Sequence, residues 1–239
     1  METSKITDVY GQAIKDHYTG KDTRLLTFSS IAGEDELPVA HLFRSFEEMP
    51  ELEQLALSLS SGHVLDLGCG AGSHSLYLEQ NNYRVTALDI SQGAIEVCQL
   101  RGLKRAVCQD LWNLKNERYD TILALMNGAG ICGTLSKLTD FLRHLKSLLQ
   151  PKGQVLMDSS DLIYMFEDET GEADVPFVDH YYGEIEFDLE YQGKRSGSFP
   201  WLYIDFYNLQ QHALEAGFMC ELIKKGSHYD YLARLTPVS

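Results

Sequence analysis

Four turns, each following an apolar run, hold the residue types best suited to chemistry. The first is Val64-Leu65-Asp66-Leu67-Gly68-Cys69-Gly70-Ala71-Gly72-Ser73. A strand that turns through glycines into a helix exposes backbone N–H groups and lets a ligand approach the main chain closely. A pyrophosphate-binding turn needs Gly or Ala five positions after its first Gly. Ser73 stands at that position, and Asp66 lies two residues before Gly68. A carboxylate there suits an ammonium group, not a pyrophosphate.

The second turn ends the run Arg84-Val85-Thr86-Ala87-Leu88-Asp89. In a doubly wound sheet Asp89 falls beside the glycine turn, where it can accept both hydroxyls of a ribose. The third carries Asp110 before Leu111 and Trp112. An acid next to apolar groups suits an adenine, whose amino group meets the acid and whose ring meets the side chain. The fourth, Met126-Asn127-Gly128-Ala129-Gly130, is a glycine-rich exit from another apolar run.

These turns need a scaffold that brings them to one edge. From residue 62 onward, short apolar runs alternate with amphipathic stretches. Strands are expected at 63–67, 84–89, 106–110, 121–126 and 154–158, with a helix bearing Leu138, Phe141, Leu142, Leu145, Leu148 and Leu149 before Pro151-Lys152-Gly153. That rhythm predicts an α/β fold, doubly wound around a mostly parallel sheet, whose strand ends form the ligand-binding edge. The reading divides one domain into an N-terminal helical cap (1–60), a cofactor-binding half (61–160), an acidic insertion with a hairpin (161–204), and a final helix and strand pair (205–239). Pro50 is expected in the first turn of a helix carrying Leu52, Leu55 and Leu57.

The four turns together resemble the class I S-adenosylmethionine-dependent methyltransferases. VLDLGCGAGSHSLYL is similar to that family's first motif, ALDIS to its second, CQDLW to its third and YDTILALMNGAG to its fourth. The resemblance covers roughly residues 45–160 and, more loosely, the final strands. It implies a seven-stranded sheet with the last strand antiparallel. It also implies S-adenosyl-L-methionine as cofactor, with Asp66, Gly68, Cys69 and Gly70 beside its methionine part, Asp89 and Ile90 at the ribose, and Asp110 and Leu111 at the adenine. Asn127 would line the methyl-transfer side, and Arg44 could pair with the cofactor's carboxylate. The fourth motif lacks the Asn/Asp-Pro-Pro-Tyr signature of many amide- and base-amino methyltransferases.

Composition narrows the acceptor. The 239 residues hold 20 Lys+Arg against 35 Asp+Glu, a formal charge of −15, which disfavours a nucleic-acid partner. Eleven of the acids fall in residues 161–190, which have no Lys or Arg, so the rest of the chain carries only −4. The acidic insertion is expected to overhang the site and to attract a cationic acceptor. Within it, Trp201 and Tyr182 are the candidate substrate contacts. No catalytic residue is assigned; His41, His74 and His180 are candidate bases. Five scattered Cys without a CxxC, together with no closely spaced His pair, argue for free thiols in a reducing, cytoplasmic compartment and against a metal. No membrane span or signal peptide is read, and a monomer or homodimer is expected. The expected activity is methyl transfer to a small molecule. A cofactor-binding sensor without turnover is the alternative, and a nicotinamide-dependent dehydrogenase is disfavoured by Ser73 and Asp66.

Overall fold

A computed structural model describes residues 7–168, 170, 172–174 and 180–238. The chain opens with α1 (Val9–Tyr18), the hairpin β1 (Leu25–Ser29) and β2 (Gly33–Leu37), and α2 (Glu51–Leu59). An alternating stretch follows: β3 (His63–Leu67), α3 (Ser73–Gln80), β4 (Arg84–Asp89), α4 (Gln92–Leu100), β5 (Ala106–Cys108), β6 (Tyr119–Ala124), α5 (Leu135–Ser147) and β7 (Leu149–Ser160). The last part holds β8 (Glu184–Tyr191), β9 (Lys194–Arg195), β10 (Phe199–Leu202), α6 (Phe206–Glu215), β11 (Phe218–Lys225) and β12 (Asp230–Pro237).

Seven strands form the main sheet in the order β11-β12-β7-β6-β3-β4-β5. The five from β3 to β7 pair in parallel. β12 runs antiparallel between β7 and β11. The expected sheet is therefore present, including its antiparallel last strand. Strand order reverses on either side of β3, which opens a crevice at the carboxyl ends of β3 and its neighbours.

Helices bury both faces, which is why the central strands read as continuous apolar runs. On one face the stripe of α5 (Leu138, Phe141, Leu142 and Leu145) packs with Ile122, Val155 and Phe218. On the other, Leu52, Ala56 and Leu57 of α2 pack with Val64, Val85 and Leu156. Pro50 occupies the N-cap of α2 rather than its first turn, because a short 3-10 turn at Phe46–Glu48 comes between.

The N-terminal 60 residues are not helical throughout. β1 and β2 form a hairpin, and β1 pairs with β8 far along the chain, giving a second, antiparallel sheet ordered β10-β8-β1-β2. Residues 25–37 hide this locally, since the strand that covers β1 lies about 160 positions away. The predicted cap and the predicted insertion are thus one layer. Among the acids of the insertion, Glu169 and Asp179 lie outside the described residues.

α1 is fixed by its first turn. The Asp8 carboxylate caps it at the Gly11 N–H (2.8 Å) and also accepts from the Ser91 hydroxyl (2.9 Å) and the Gly93 N–H (3.0 Å) at the start of α4. Gly93 lies so near the Gly11 backbone that a Cβ on it would sit 2.6 Å from the Gly11 carbonyl carbon. The two helices cross at backbone contact. No helix among the described residues is long and apolar enough to cross a membrane.

Candidate functional site

The glycine turn leaving β3 is shaped by three left-handed residues, with φ of +73° at Gly68, +52° at Gly70 and +84° at Gly72. Such angles cost an L-residue about 1–2 kcal/mol, so glycine is required for this path. The outer side of the turn is clamped by Arg101, whose Nη1 donates to the Ala71 carbonyl (2.6 Å) and the Ser73 hydroxyl (3.2 Å). Cys98 donates its thiol to the Gly70 carbonyl at 3.2 Å and lies 3.9 Å from the Cys69 sulfur. Gly72 would lose its place to any side chain, since a Cβ would meet Leu103 at 2.7 Å and the Cys98 sulfur at 2.9 Å.

Asp89 closes the other side of the crevice. Its two oxygens accept from the Gly70 N–H and the Ser91 N–H, each at 2.9 Å. Burial raises its pKa, with Asp8 and Asp66 adding to the effect, while the two N–H donors oppose it. Asp66 lies buried beneath the turn, where the Ser75 hydroxyl donates to it at 2.7 Å.

A charged cluster lies at the methionine end predicted from the first motif. Nη2 of Arg44 donates to both oxygens of Glu53 (2.7 and 2.8 Å), and Nε2 of His74 lies 2.7 Å from Oε2. Burial alone would raise Glu53, but the hydrogen bonds and charges of His74 and Arg44 outweigh it and hold the carboxyl below its ordinary range. For His74, burial acts to lower the pKa, yet the bond to Glu53 and the charges of Asp66, Glu53 and Asp158 raise it. Nε of Arg44 is buried without a partner.

These groups open onto one cavity of about 630 Å³. The second sheet covers it, contributing Thr27, Leu37, Phe187, Leu189, Phe199 and Trp201 to the wall. Period-two alternation decides which β8 side chains face in. Phe187 and Leu189 line the cavity, whereas Glu184, Glu186, Asp188 and Glu190 lie on the opposite pleat. Asp188 and Glu190 there hold Arg195, whose guanidinium lies 3.9 Å from the Phe28 ring centroid. The acidic face of the hairpin is its outer face.

Of the sequence-predicted site residues, Asp66, Gly68, Cys69, Gly70, Asp89, Ile90, Leu111, Arg44 and Trp201 all reach this cavity. Three others do not line it. Asp110 is exposed, and its Oδ1 accepts from the Trp112 N–H, capping a short turn. The Asn127 side chain accepts from the Ser160 hydroxyl (3.0 Å), while its neighbours Met126 and Gly128 form the wall. The Tyr182 hydroxyl donates to Asp161 at 2.6 Å. Of the candidate bases, His41 and His74 line the cavity and His180 does not.

Two residues had no signal in the sequence reading. Tyr10 enters from α1, with its hydroxyl 2.9 Å from where a Gly70 Cβ would stand; burial, then the charge of Asp89, raises its pKa well above the usual value. Asp158, at the end of β7, accepts the N–H groups of Met126 (3.1 Å) and Asn127 (2.8 Å) and so shapes the fourth turn. Its burial raises its pKa to about 7. Among the described residues, no group of three or more His, Cys, Asp or Glu could hold a metal ion.

A glycine cradle, an acid at the end of the next strand and an apolar wall after the third strand fit an adenosyl group bearing an amino acid. The comparisons agree. The family described as "Methyltransferase domain" matches residues 64–153. A crystal structure of a SAM-dependent methyltransferase from Bacteroides fragilis, in complex with S-adenosyl-L-homocysteine, is 47% identical, with a TM-score of 0.91 over 99% of this chain and 97% of that one. The chain belongs to the SAM-dependent methyltransferases. The CcbJ methyltransferase from Streptomyces caelestis shares the fold at 17% identity, with a TM-score of 0.63 over 97% of this chain and 98% of that one. The "Ubiquinone biosynthesis O-methyltransferase" of Bordetella avium is 36% identical over 56 residues, a match spanning 23% of each protein.

Proposed function

We propose that this chain transfers the methyl group of S-adenosyl-L-methionine to a small molecule enclosed between the glycine turn and the second sheet. The observation that carries this reading is the shared cavity. One space of about 630 Å³ joins the glycine turn and Asp89 to the aromatic wall of β8 and β10. A volume of this size takes a cofactor together with a modest acceptor, and strands of the second sheet line one side of it.

In this reading the Gly68–Gly70 backbone and Asp66 border the amino-acid end of the cofactor, and the free Nε of Arg44 meets its carboxylate. Asp89 accepts the ribose hydroxyls, Tyr10 closes over that region, and Ile90 and Leu111 flank the adenine. When bound, the cofactor supplies a methyl group activated by its sulfonium charge. The protein's part is to align the acceptor and to exclude water. Phe187, Leu189 and Phe199 keep the acceptor half dry, while Asp158 fixes the Met126–Gly128 turn that borders it. The five free cysteines suit a reducing compartment, and a cytoplasmic site of action belongs to the same proposal.

The test is a panel of small acceptors, followed by mass spectrometry for stoichiometric formation of S-adenosylhomocysteine and methylated product. Tight cofactor binding with no product from any acceptor class would point to a sensor instead.

A further inference from the structure

The acceptor half of the cavity is chemically distinct from the cofactor half. Its floor is one continuous set of rings on the inner pleat of the second sheet. Phe187 and Phe199 are cross-strand partners with centroids 6.3 Å apart and planes 26° from parallel. Trp201 meets Phe199 edge-on at 6.4 Å, and Tyr203 lies 6.4 Å from Phe187. The seat of the indole is made by a missing side chain, since a Cβ on Gly130 would fall 2.0 Å from Nε1 of Trp201.

Every carboxylate on the cavity wall lies elsewhere and is already engaged. Asp8 is held by Ser91 and Gly93, Glu53 by Arg44 and His74, Asp66 by Ser75, and Asp89 by two backbone N–H groups. The β8 acids are on the far pleat. On this half the Tyr203 hydroxyl, the Trp201 indole N–H and the Thr27 hydroxyl line the cavity and make no hydrogen bond among the described residues. An ammonium group entering this half would lose its hydration and find ring faces but no free anion. A flat ring would stack on the floor, and a hydroxyl would find both a donor and an acceptor in Tyr203.

We infer that the acceptor is a neutral, flat, ring-bearing hydroxy compound of the phenol class, bound on the Phe187–Phe199–Trp201 floor with its polar edge toward Tyr203. This inference rests on the proposed methyl transfer and names its substrate class. Transfer to such a hydroxyl forms an O–CH3 bond as the methyl–sulfur bond breaks. The sulfur keeps the bonding electron pair as a neutral thioether, and the hydroxyl proton passes to water.

The test uses matched probes, 4-hydroxybiphenyl and 4-(aminomethyl)biphenyl, the second a cation at pH 7.5. Each is titrated by saturation-transfer NMR and calorimetry against the whole protein, both free and loaded with S-adenosylhomocysteine. The phenol should bind about tenfold more tightly than the cation. Trp201→Leu should weaken phenol binding about tenfold, and Tyr203→Phe should weaken it severalfold while leaving S-adenosylhomocysteine affinity unchanged. A cation that binds as tightly as the phenol, or phenol binding indifferent to both variants, would overturn the inference. Failure of S-adenosylhomocysteine to bind would instead sink the cofactor reading, and the free-protein titration would still decide the acceptor class.

Discussion

Oδ2 of Asp89 accepts the backbone N–H of Gly70 at 2.9 Å, joining the end of β4 to the middle of the turn that leaves β3. The same carboxylate takes the Ser91 N–H with its other oxygen, so one buried acid sets the shape of two adjacent turns. Its remaining acceptor capacity faces the cavity, where hydroxyl donors would complete its shell.

Gly70 tests the turn directly. With φ at +52° and the Tyr10 hydroxyl 2.9 Å from the missing Cβ, Gly70→Ala should both strain the backbone and crowd α1. Calorimetry should show S-adenosylhomocysteine affinity falling about tenfold or more. Adding Tyr10→Phe should return part of that loss. Wild-type affinity in Gly70→Ala would mean that the turn does not face the cofactor.

Gly93 lies inside α4, where Gly→Ala ordinarily stabilises a helix by about 0.5–1 kcal/mol. Here the sign should reverse. The new methyl would meet the Gly11 carbonyl carbon at 2.6 Å, and overpacking of this kind costs about 1–3 kcal/mol. Urea unfolding of Gly93→Ala measures it, and a variant more stable than wild type would contradict the backbone contact of α1 and α4.

The pair His74 and Glu53 should make stability depend on pH. The pKa of His74 is raised above its ordinary 6.5, so its contribution is complete below that value and is lost as pH climbs through the raised one. The pKa of Glu53 is depressed below 4.5, so its contribution is complete above that value and is lost as pH falls through the depressed one. The melting-temperature gap between wild type and His74→Gln should therefore be widest between about pH 4.5 and 6.5. It should shrink toward alkaline pH; a gap constant from pH 5 to 9 would mean that the pair does not titrate as a unit.

The outer acids of β8 should matter little to binding. Replacing Glu186 and Glu190 by Gln removes two charges from the face turned away from the cavity. S-adenosylhomocysteine and acceptor affinities should stay within about twofold at physiological salt, where screening is strong. An acceptor affinity that drops severalfold, by an amount that shrinks at high salt, would restore a steering role to the acidic hairpin.

What could be read from sequence follows from the range of the signals. The glycine turn, Asp89 and the parallel strands announce themselves within a few residues, because left-handed turns need glycine and doubly covered strands need unbroken apolar runs. The stripe of α5 is equally plain as far as Leu145, whereas Leu148, expected within it, is the C-cap and Leu149 opens β7. The second sheet was not legible, because the pairing of β1 with β8 joins segments about 160 residues apart and neither carries a mark of the other. Tyr10 was hidden for the same reason, since its place over Gly70 depends on Asp8 binding Ser91 and Gly93. The composition gave the acidity of the insertion but not its direction, which only the pleat of β8 decides. Asp110 follows its strand in the expected motif, and one of its carboxylate oxygens caps its own turn.

Asp89 and the glycine turn together are proposed to form the cofactor site. Calorimetric titration of S-adenosylhomocysteine into wild type and Asp89→Ala, with both shown folded by circular dichroism, tests it most directly. Wild type should bind at a single site with micromolar affinity, and Asp89→Ala should lose about tenfold or more. Undiminished binding in folded Asp89→Ala would contradict the assignment.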